Sequence, residues 1–462
     1  MRIELRKKDD SPVSLQVIKI DSPIENEWMY ELFDSKEKKG EIIVRNGKEI
    51  ILSNISSDII ANNEDVIIQS KLDELLHEII DVESSGTDAF ADDIQEELNP
   101  YNPDDIKVRN DKIPITLLTK MINDGDLILN PDFQRNLVWD RKQKSRLIES
   151  ILLRIPLPMF YFSEDKDGKL IVVDGLQRIN TIYEFMNNKF ALQNLQYLKD
   201  ACDGRYYSSH PPKEGLEPKY LRWFNLTSIS ANIIDPSSPA KVKYDIFRRI
   251  NTGGKTLNNQ EIRNCFTGKS LRDTLKKMSS LESFQAATCG SIKNKRMEDF
   301  EVALRFMLFY TFYEKSGFID INEYDGNMES SLDSFTEDYS QKNAEELSKY
   351  IDKYDTAMKN AEYLFGAKYA FRKIKTADLT PSAPKQLINK ALFVCSSILL
   401  ANYNETIIKE KNEEGMLKRP LAELIENDPE IYYYLSYGTN GWKNLVTVFQ
   451  KIKIMLNNTI AS

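Results

Sequence analysis

The sequence predicts an α+β protein: an α/β core preceded by a β-rich N-terminal segment and followed by a mostly α-helical C-terminal region. Three observations predict it. Over residues 1–80, short alternating runs such as SLQVIKI, WMYELF and GEIIVRNGKEIILS read as strands, and Asn46-Gly47 between two β-branched runs is a strong two-residue hairpin signal. From about residue 106, strand-like and helix-like periods interleave. After about residue 270 the period is helical, with long segments near 298–314, 343–363, 385–402 and 441–457 and no fixed-period repeat.

At 462 residues the chain has room for two or three domains, and 41% hydrophobic with 29% charged residues is the balance of an ordinary globular protein. The expected organisation is a small β-rich domain over 1–80, ending in a helix near 70–80, then an acidic linker over 81–105, an α/β core over 106–270 and a helical region over 271–462. The linker carries nine acidic residues and no Lys or Arg, closed by Pro100 and Pro103. It reads as a solvated connector, or else as an acidic strand that mimics DNA over a basic site.

No apolar run approaches the roughly 18–20 residues that span a bilayer. The opening MRIELRKKDD has no apolar signal-peptide core, so a cytoplasmic protein without a membrane partner is expected. The four cysteines are far apart with no C-x-x-C pair, so free thiols are expected, with no disulfide framework, no structural zinc and no haem. Only two histidines occur, His77 in an amphipathic helix and His210 before Pro211-Pro212. HNH nucleases, zinc hydrolases and Ser-His-Asp enzymes need histidines at defined spacings, which two isolated residues do not supply. The net charge of −9 argues against a protein that coats DNA non-specifically, although a basic face can be local.

Within the core, 113–124 reads as a helix with apolar positions at 117, 118, 121 and 122, and NPDFQRNLVW as extended chain. Asp140 caps the next helix with Gln143 in capping-box position, and Leu147, Ile148, Ile151 and Leu152 share its apolar face. Pro156 and Pro158 end it. MFYFSE and KLIVVDG read as two strands joined by a turn at 165–168, and Ile179, Ile182, Tyr183 and Met186 mark a further helix. Aromatic runs in the helical half, such as FMLFYTFY, read as core.

Three segments can carry chemistry. In LIVVDGLQRINTIYEF a buried strand ends at Asp174, Gly175 permits a tight turn and close approach to the backbone, and a helix begins near Gln177 or Arg178. A helix start favours anions, and Arg178 adds a charge that can grip phosphate through two hydrogen bonds. Gln177 could orient water, and Asp174 could hold Mg²⁺ or act as a base. The structural alternative is a plain turn in which Asp174 caps the helix and Arg178 pairs with a carboxylate. In PDFQRNLVWDRKQKSR, Arg135 follows an aromatic in extended chain and Arg141, Lys142, Lys144 and Arg146 open the next helix. That is either a solvated helix face or a phosphate or DNA contact.

In YDIFRRINTGGKTLNNQEIRN, a helix runs from Pro239 to about Ile250. Asn251-Thr252-Gly253-Gly254 then breaks it, and Asn258 caps another with Glu261 in capping-box position. Gly254-Lys255-Thr256 is not a P-loop, because Arg249 stands where the motif needs Gly and the segment follows a helix rather than a strand.

Together the three blocks resemble the N-terminal domain family of the GmrSD restriction endonucleases, a family whose fold looks related to ParB and sulfiredoxin. Its D-G-Q-Q-R hallmark is matched by Asp174-Gly175-Leu176-Gln177-Arg178, and its F-Q-R…W block by Phe133, Gln134, Arg135 and Trp139. The downstream F-x-R-I-N-T-G-G…L…Q-E-I-R-N block is matched by Phe247, Arg249, Ile250, Asn251, Thr252, Gly253, Gly254, Leu257 and Gln260 to Asn264. The resemblance covers roughly 106–310. It implies a ParB-like α/β core that binds or hydrolyses NTP with Mg²⁺ in a setting of bacterial defence.

On this reading Arg178 and Arg135 hold phosphates, with Gly175, Gln134 and Lys255 beside them. Gln177 positions water or nucleotide, Asp174 handles Mg²⁺ or a proton, and Arg249 and Asn251 line the other side. Arg141, Lys142 and Lys144 are the candidate DNA contacts. Leu176 replaces the first Gln of the hallmark, which puts nucleotide specificity in question unless that position packs inward. Two histidines leave no visible HNH domain, so DNA cutting would need a separate effector protein or another site. The competing readings are a non-catalytic DNA-binding or sensor subunit and a ParB-like Mg²⁺-dependent nuclease. Oligomeric state is left open.

Overall fold

The structure is a computed structural model of the 462-residue chain. It describes residues 1–9, 11–20, 27–34, 37–60, 66–85, 87, 106–129, 139–165, 167–238, 240–250, 258–318, 323–380 and 382–460. The fold is α+β. Two compact units partition the chain: Met1–Glu97 with Gly268–Ser462, and Leu98–Thr267.

The first unit begins with strands β1 (Arg2–Lys7), β2 (Pro12–Ile20), β3 (Glu27–Asp34), β4 (Glu37–Arg45), β5 (Glu49–Ser53) and β6 (Ile59–Ile60). They form an antiparallel sheet in the order β5-β4-β3-β2-β1-β6. Alternate residues (Ile3, Leu5, Val13, Leu15, Val17, Tyr30, Leu32, Ile42, Val44) are buried on one face, as the two-residue strand period requires. Ile68, Leu72, Leu75, Leu76 and Ile79 of helix α1 (Val66–Ser85) pack on that face. The β4–β5 hairpin turns where expected, with Asn46 at φ 52° and Gly47 at φ 61°. Helix α1 is longer than its apolar period suggested and continues through Ser85, into the acidic stretch. The rest of that stretch lies outside the described residues, apart from Thr87.

The second unit contains β7 (Val108–Pro114), α2 (Ile115–Asp124), β8 (Leu127–Ile128), α3 (Arg141–Leu152), β9 (Phe160–Glu164), β10 (Leu170–Asp174) and α4 (Leu176–Met186). It continues with α5 (Lys199–Cys202), α6 (Pro218–Asn225), β11 (Ser228–Ile234), α7 (Ala240–Ile250) and α8 (Asn259–Phe266). Its sheet has the order β7-β11-β9-β10-β8. The β11–β9 and β10–β8 pairs are parallel and the others antiparallel.

Both predicted capping boxes form. Asp140 Oδ1 accepts from Gln143 N at 2.7 Å, and Asn258 Oδ1 accepts from Glu261 N at 2.8 Å. Leu147, Ile148, Ile151 and Leu152 are buried together, as their spacing predicted. Two expectations need correction. Residues 113 and 114 belong to β7 rather than to the helix, and Leu117 is 43% exposed, because the helix starts at Ile115 and turns Ile115 and Leu118 inward. Strand β11 alternates polar and apolar residues over SISANII, and Ile229, Ala231 and Ile233 are buried while Ser230 and Asn232 between them are half-buried.

Gly268 onward returns to the first unit with α9 (Lys269–Ser280), α10 (Glu282–Ala287), α11 (Glu298–Ser316), α12 (Met328–Tyr339), α13 (Ala344–Phe365) and α14 (Lys390–Leu400). The remaining helices are α15 (Glu405–Lys411), α16 (Lys418–Asn427), α17 (Pro429–Ser436) and α18 (Trp442–Thr459). The aromatic run of α11 is core: Phe306, Phe309 and Tyr310 are buried. The unit is continuous across the chain, since the Phe33 ring of β3 meets Tyr437 edge-on at 5.5 Å and Thr87 Oγ1 donates to Glu298 Oε2 at 2.9 Å. Among the described residues no single helix is long and apolar enough to cross a membrane.

Candidate functional site

Strand β10 ends at Asp174 after an irregularity in its pairing with β9, between Val172 and Asp174. Gly175 then turns the chain with φ at 101° and acts as N-cap of α4. The glycine is required twice. An L side chain rarely adopts that φ. A Cβ there would also stand 2.9 Å from Phe160 Cε1, nearer still to Cδ1, and 3.2 Å from Arg178 Nη2. The group that approaches this backbone is therefore the fully buried ring of Phe160.

Arg178 lies one turn into α4 and reaches back under the turn. Its Nη2 donates to Asp174 Oδ2 at 2.8 Å and to the Met159 carbonyl at 3.1 Å, while Nη1 donates to the Pro158 carbonyl. The guanidinium carbon sits 4.1 Å from the centroid of Phe160. Burial pushes the Arg178 pKa below the usual arginine value, and the adjacent Asp174 carboxylate opposes that shift. The side chains differ in access: 12% for Arg178 and 39% for Asp174. A guanidinium has five N–H donors, and three of them are engaged by Asp174 and the carbonyls of Pro158 and Met159. Asp174 does not cap α4, contrary to the structural alternative, but that alternative's Arg–carboxylate pair is present.

Leu176 packs inward. It lies against both the main core of the unit and a smaller cluster formed by Val173, Tyr244, Phe247, Ile262 and Cys265, which joins β10 to α7 and α8. An apolar residue at the first Gln position is thus explained by its neighbours. Gln177, the next residue, is half-buried, and its carbonyl accepts from Thr181 Oγ1 at 2.7 Å.

The downstream motif builds α8, which is buried along nearly its whole length. Gln260, Glu261, Arg263 and Asn264 are all below a tenth exposed, and Arg263 Nη1 donates to Gln260 Oε1 at 3.2 Å. Arg248 Nε donates to Asn259 Oδ1 at 2.9 Å and ties α7 to α8, while Arg249 is exposed. Gln134, Arg135, Asn251 and Lys255 lie outside the described residues, as do Phe133 and Thr252 to Leu257.

On α3, Arg141 and Lys142 are exposed, and the Arg141 guanidinium is 5.8 Å from the Phe190 ring. Lys144 is held by Glu184 at 2.6 Å, so its charge is locally compensated. A residue the motifs did not flag, Glu149, is buried with its carboxylate accepting from the backbone N–H groups of Gln196, Tyr197 and Leu198 at 2.7–3.1 Å. Its only sequence trace is an acidic residue on an apolar helix face. Among the described residues no group of three or more His, Cys, Asp or Glu side chains is placed to hold a metal. His77 is exposed on α1, and His210 makes an isolated bridge with Lys213.

Residues 116–267 match the family model described as GmrSD restriction endonuclease, N-terminal domain. The match contains β10, the Gly175 turn, α4 and the whole of α8. No curated protein and no solved structure matches the chain.

Proposed function

We propose that this chain, whose residues 116–267 are a GmrSD-type restriction endonuclease N-terminal domain, is a nucleotide-binding, NTP-hydrolysing protein of a restriction or anti-phage defence system that acts on DNA. The observation that carries the reading is the Asp174–Arg178 pair at a strand-to-helix turn, closed at 2.8 Å inside the matched domain. The pair leaves Asp174 as the accessible carboxylate, with Oδ2 fixed by Arg178. Mg²⁺ is commonly bound by one or two carboxylates together with substrate phosphates, so one oriented aspartate suits a metal carried in on NTP. Bound there, Mg²⁺ would neutralise charge on the phosphates.

Arg178 contributes its charge and holds Asp174 in place. Gly175 caps α4 without a side-chain bond and the first turn of α4 carries no acidic residue, which leaves the positive end of the helix dipole beside Asp174. Gln177 positions water or nucleotide, with Gln134, Arg135, Arg249, Asn251 and Lys255 completing the phosphate side. A ParB-like core and a separate effector chain belong to the same proposal.

One observation favours the second reading, a non-catalytic DNA-binding or sensor subunit: Arg178 is only 12% accessible and already well satisfied by protein partners. Phosphate release by the purified full chain with Mg²⁺ and each NTP separates the two. Turnover that disappears in Asp174→Asn, with melting temperature retained, is the expected result. Absence of both turnover and any nucleotide-induced rise in melting temperature in the wild type would sink the nucleotide reading.

A further inference from the structure

Helix α6 carries Lys219, Arg222 and Trp223 at i, i+3 and i+4, and its C-cap Leu226 follows at i+7, a spacing that places all four on one face. Lys219 and Arg222 are exposed, and Leu226 is 80% exposed. Lys219 Nζ stands 4.8 Å from the centroid of the Trp223 ring, and the Arg154 guanidinium carbon 4.7 Å. Tyr220 meets the same indole edge-on at 5.5 Å. Arg154 comes from segment 153–159, between α3 and β9, where Ile155 and Met159 are 48% and 38% exposed.

Neither α6 nor segment 153–159 contains an acidic residue. Among the described residues, Arg154, Lys219 and Arg222 form no salt bridge, whereas Lys144 and Arg178 in the same unit do. On a chain of net charge −9, this face gathers three exposed cations, two of them on one indole, with Glu217 just before α6 as the nearest acidic residue in the sequence.

The geometry points to this face as a docking surface for the phosphodiester backbone of nucleic acid. The inference rests on the reading that the chain acts on DNA and gives that partner a place. Phosphates are the ligand that clustered, unpaired Arg and Lys recognise. Stacking on Trp223 holds two of the cations in position, so less side-chain freedom is lost on contact. The exposed Leu226, Ile155 and Met159 suit sugar and base edges. The surface also adjoins the nucleotide site through the chain itself, because Arg178 donates to the carbonyls of Pro158 and Met159 at the end of the segment that presents Arg154.

The test is fluorescence anisotropy of the full chain with a labelled duplex and with one of its single strands over a salt series. Each phosphate neutralised contributes about 0.9 to the log–log salt slope on duplex and about 0.7 on single strand, so the two arms identify the form bound. The triple variant Arg154→Ala, Lys219→Ala, Arg222→Ala is expected to weaken binding and flatten the duplex slope by about 2–3, with melting temperature unchanged. The double variant Lys219→Gln, Arg222→Gln is expected to flatten it by roughly 2. Unchanged affinity and slope in both variants overturn the surface. So does a wild type that binds neither DNA at low salt, a result that leaves an acidic protein as the occupant. NTP turnover is followed in the same preparations: turnover without DNA binding refutes this surface alone, and DNA binding without turnover refutes the nucleotide reading alone.

Discussion

Replacing Gly175 by alanine tests whether the turn of the hallmark motif is shaped by Phe160. The backbone at φ 101° costs an L residue roughly 1–2 kcal/mol. The new methyl group would meet the Phe160 ring at 2.9 Å or less, and that ring is fully buried and cannot swing into solvent. Overpacking of this kind costs roughly 1–3 kcal/mol, for a total of roughly 2–5 kcal/mol. With a urea dependence of about 2 kcal/mol per M, the midpoint falls by roughly 1–2.5 M.

The assay is urea unfolding followed by tryptophan fluorescence in a Trp28→Phe, Trp442→Phe background, which leaves Trp139 and Trp223 to report on the unit that holds the turn. Adding Phe160→Leu removes the ring edge but keeps apolar volume. A double-mutant cycle is then expected to return the packing share, about 1–3 kcal/mol, and leave the backbone share. A loss below about 0.5 kcal/mol, or no coupling between positions 160 and 175, would refute the reasoning and hand the glycine back to ligand approach.

Two further outcomes follow from buried groups. Glu149→Ala leaves three backbone N–H groups at 196–198 without their acceptor, a loss on the order of 3 kcal/mol, whereas Glu149→Gln keeps one acceptor oxygen and costs less; amide exchange at 196–198 that stays as slow as in the wild type would contradict this. Iodoacetamide at neutral pH is expected to label the exposed Cys289 and to spare Cys202 and Cys395, which are buried. Burial pushes the Cys202 thiol up to about 11 from its ordinary 9.0, so between those values the folded chain keeps a proton that the unfolded chain releases. Stability therefore falls as pH rises from 9 to 11. Buried tyrosines such as Tyr310 and Tyr437 shift in the same direction, so the readout is the shallower pH dependence of Cys202→Ala relative to wild type.

Features set by neighbours within a few residues were legible without coordinates. The capping boxes at Asp140 and Asn258, the Asn46-Gly47 hairpin and the apolar face of α3 depend on local hydrogen bonds and helical or strand period, and each formed where expected. The strand–Gly–helix form of the Asp174–Arg178 turn was legible for the same reason. The backbone partners of Arg178 were not, because Pro158 and Met159 are brought under the turn by β9–β10 pairing rather than by sequence distance.

The sequence by itself determined the element types, the α+β class and the motif blocks that resemble the GmrSD family, since those reside in local period and residue order. Only the tertiary structure decided what the turn is made of. It placed Phe160 beneath Gly175, turned Leu176 into the cluster between β10 and α8, and spent most of the Arg178 donors on protein groups. It also joined the first 97 residues to Gly268–Ser462 in one unit. The physical reason is the same in each case: which buried surfaces meet, and which polar groups must then find partners, depends on contacts between segments far apart in the chain, where no local pattern records them.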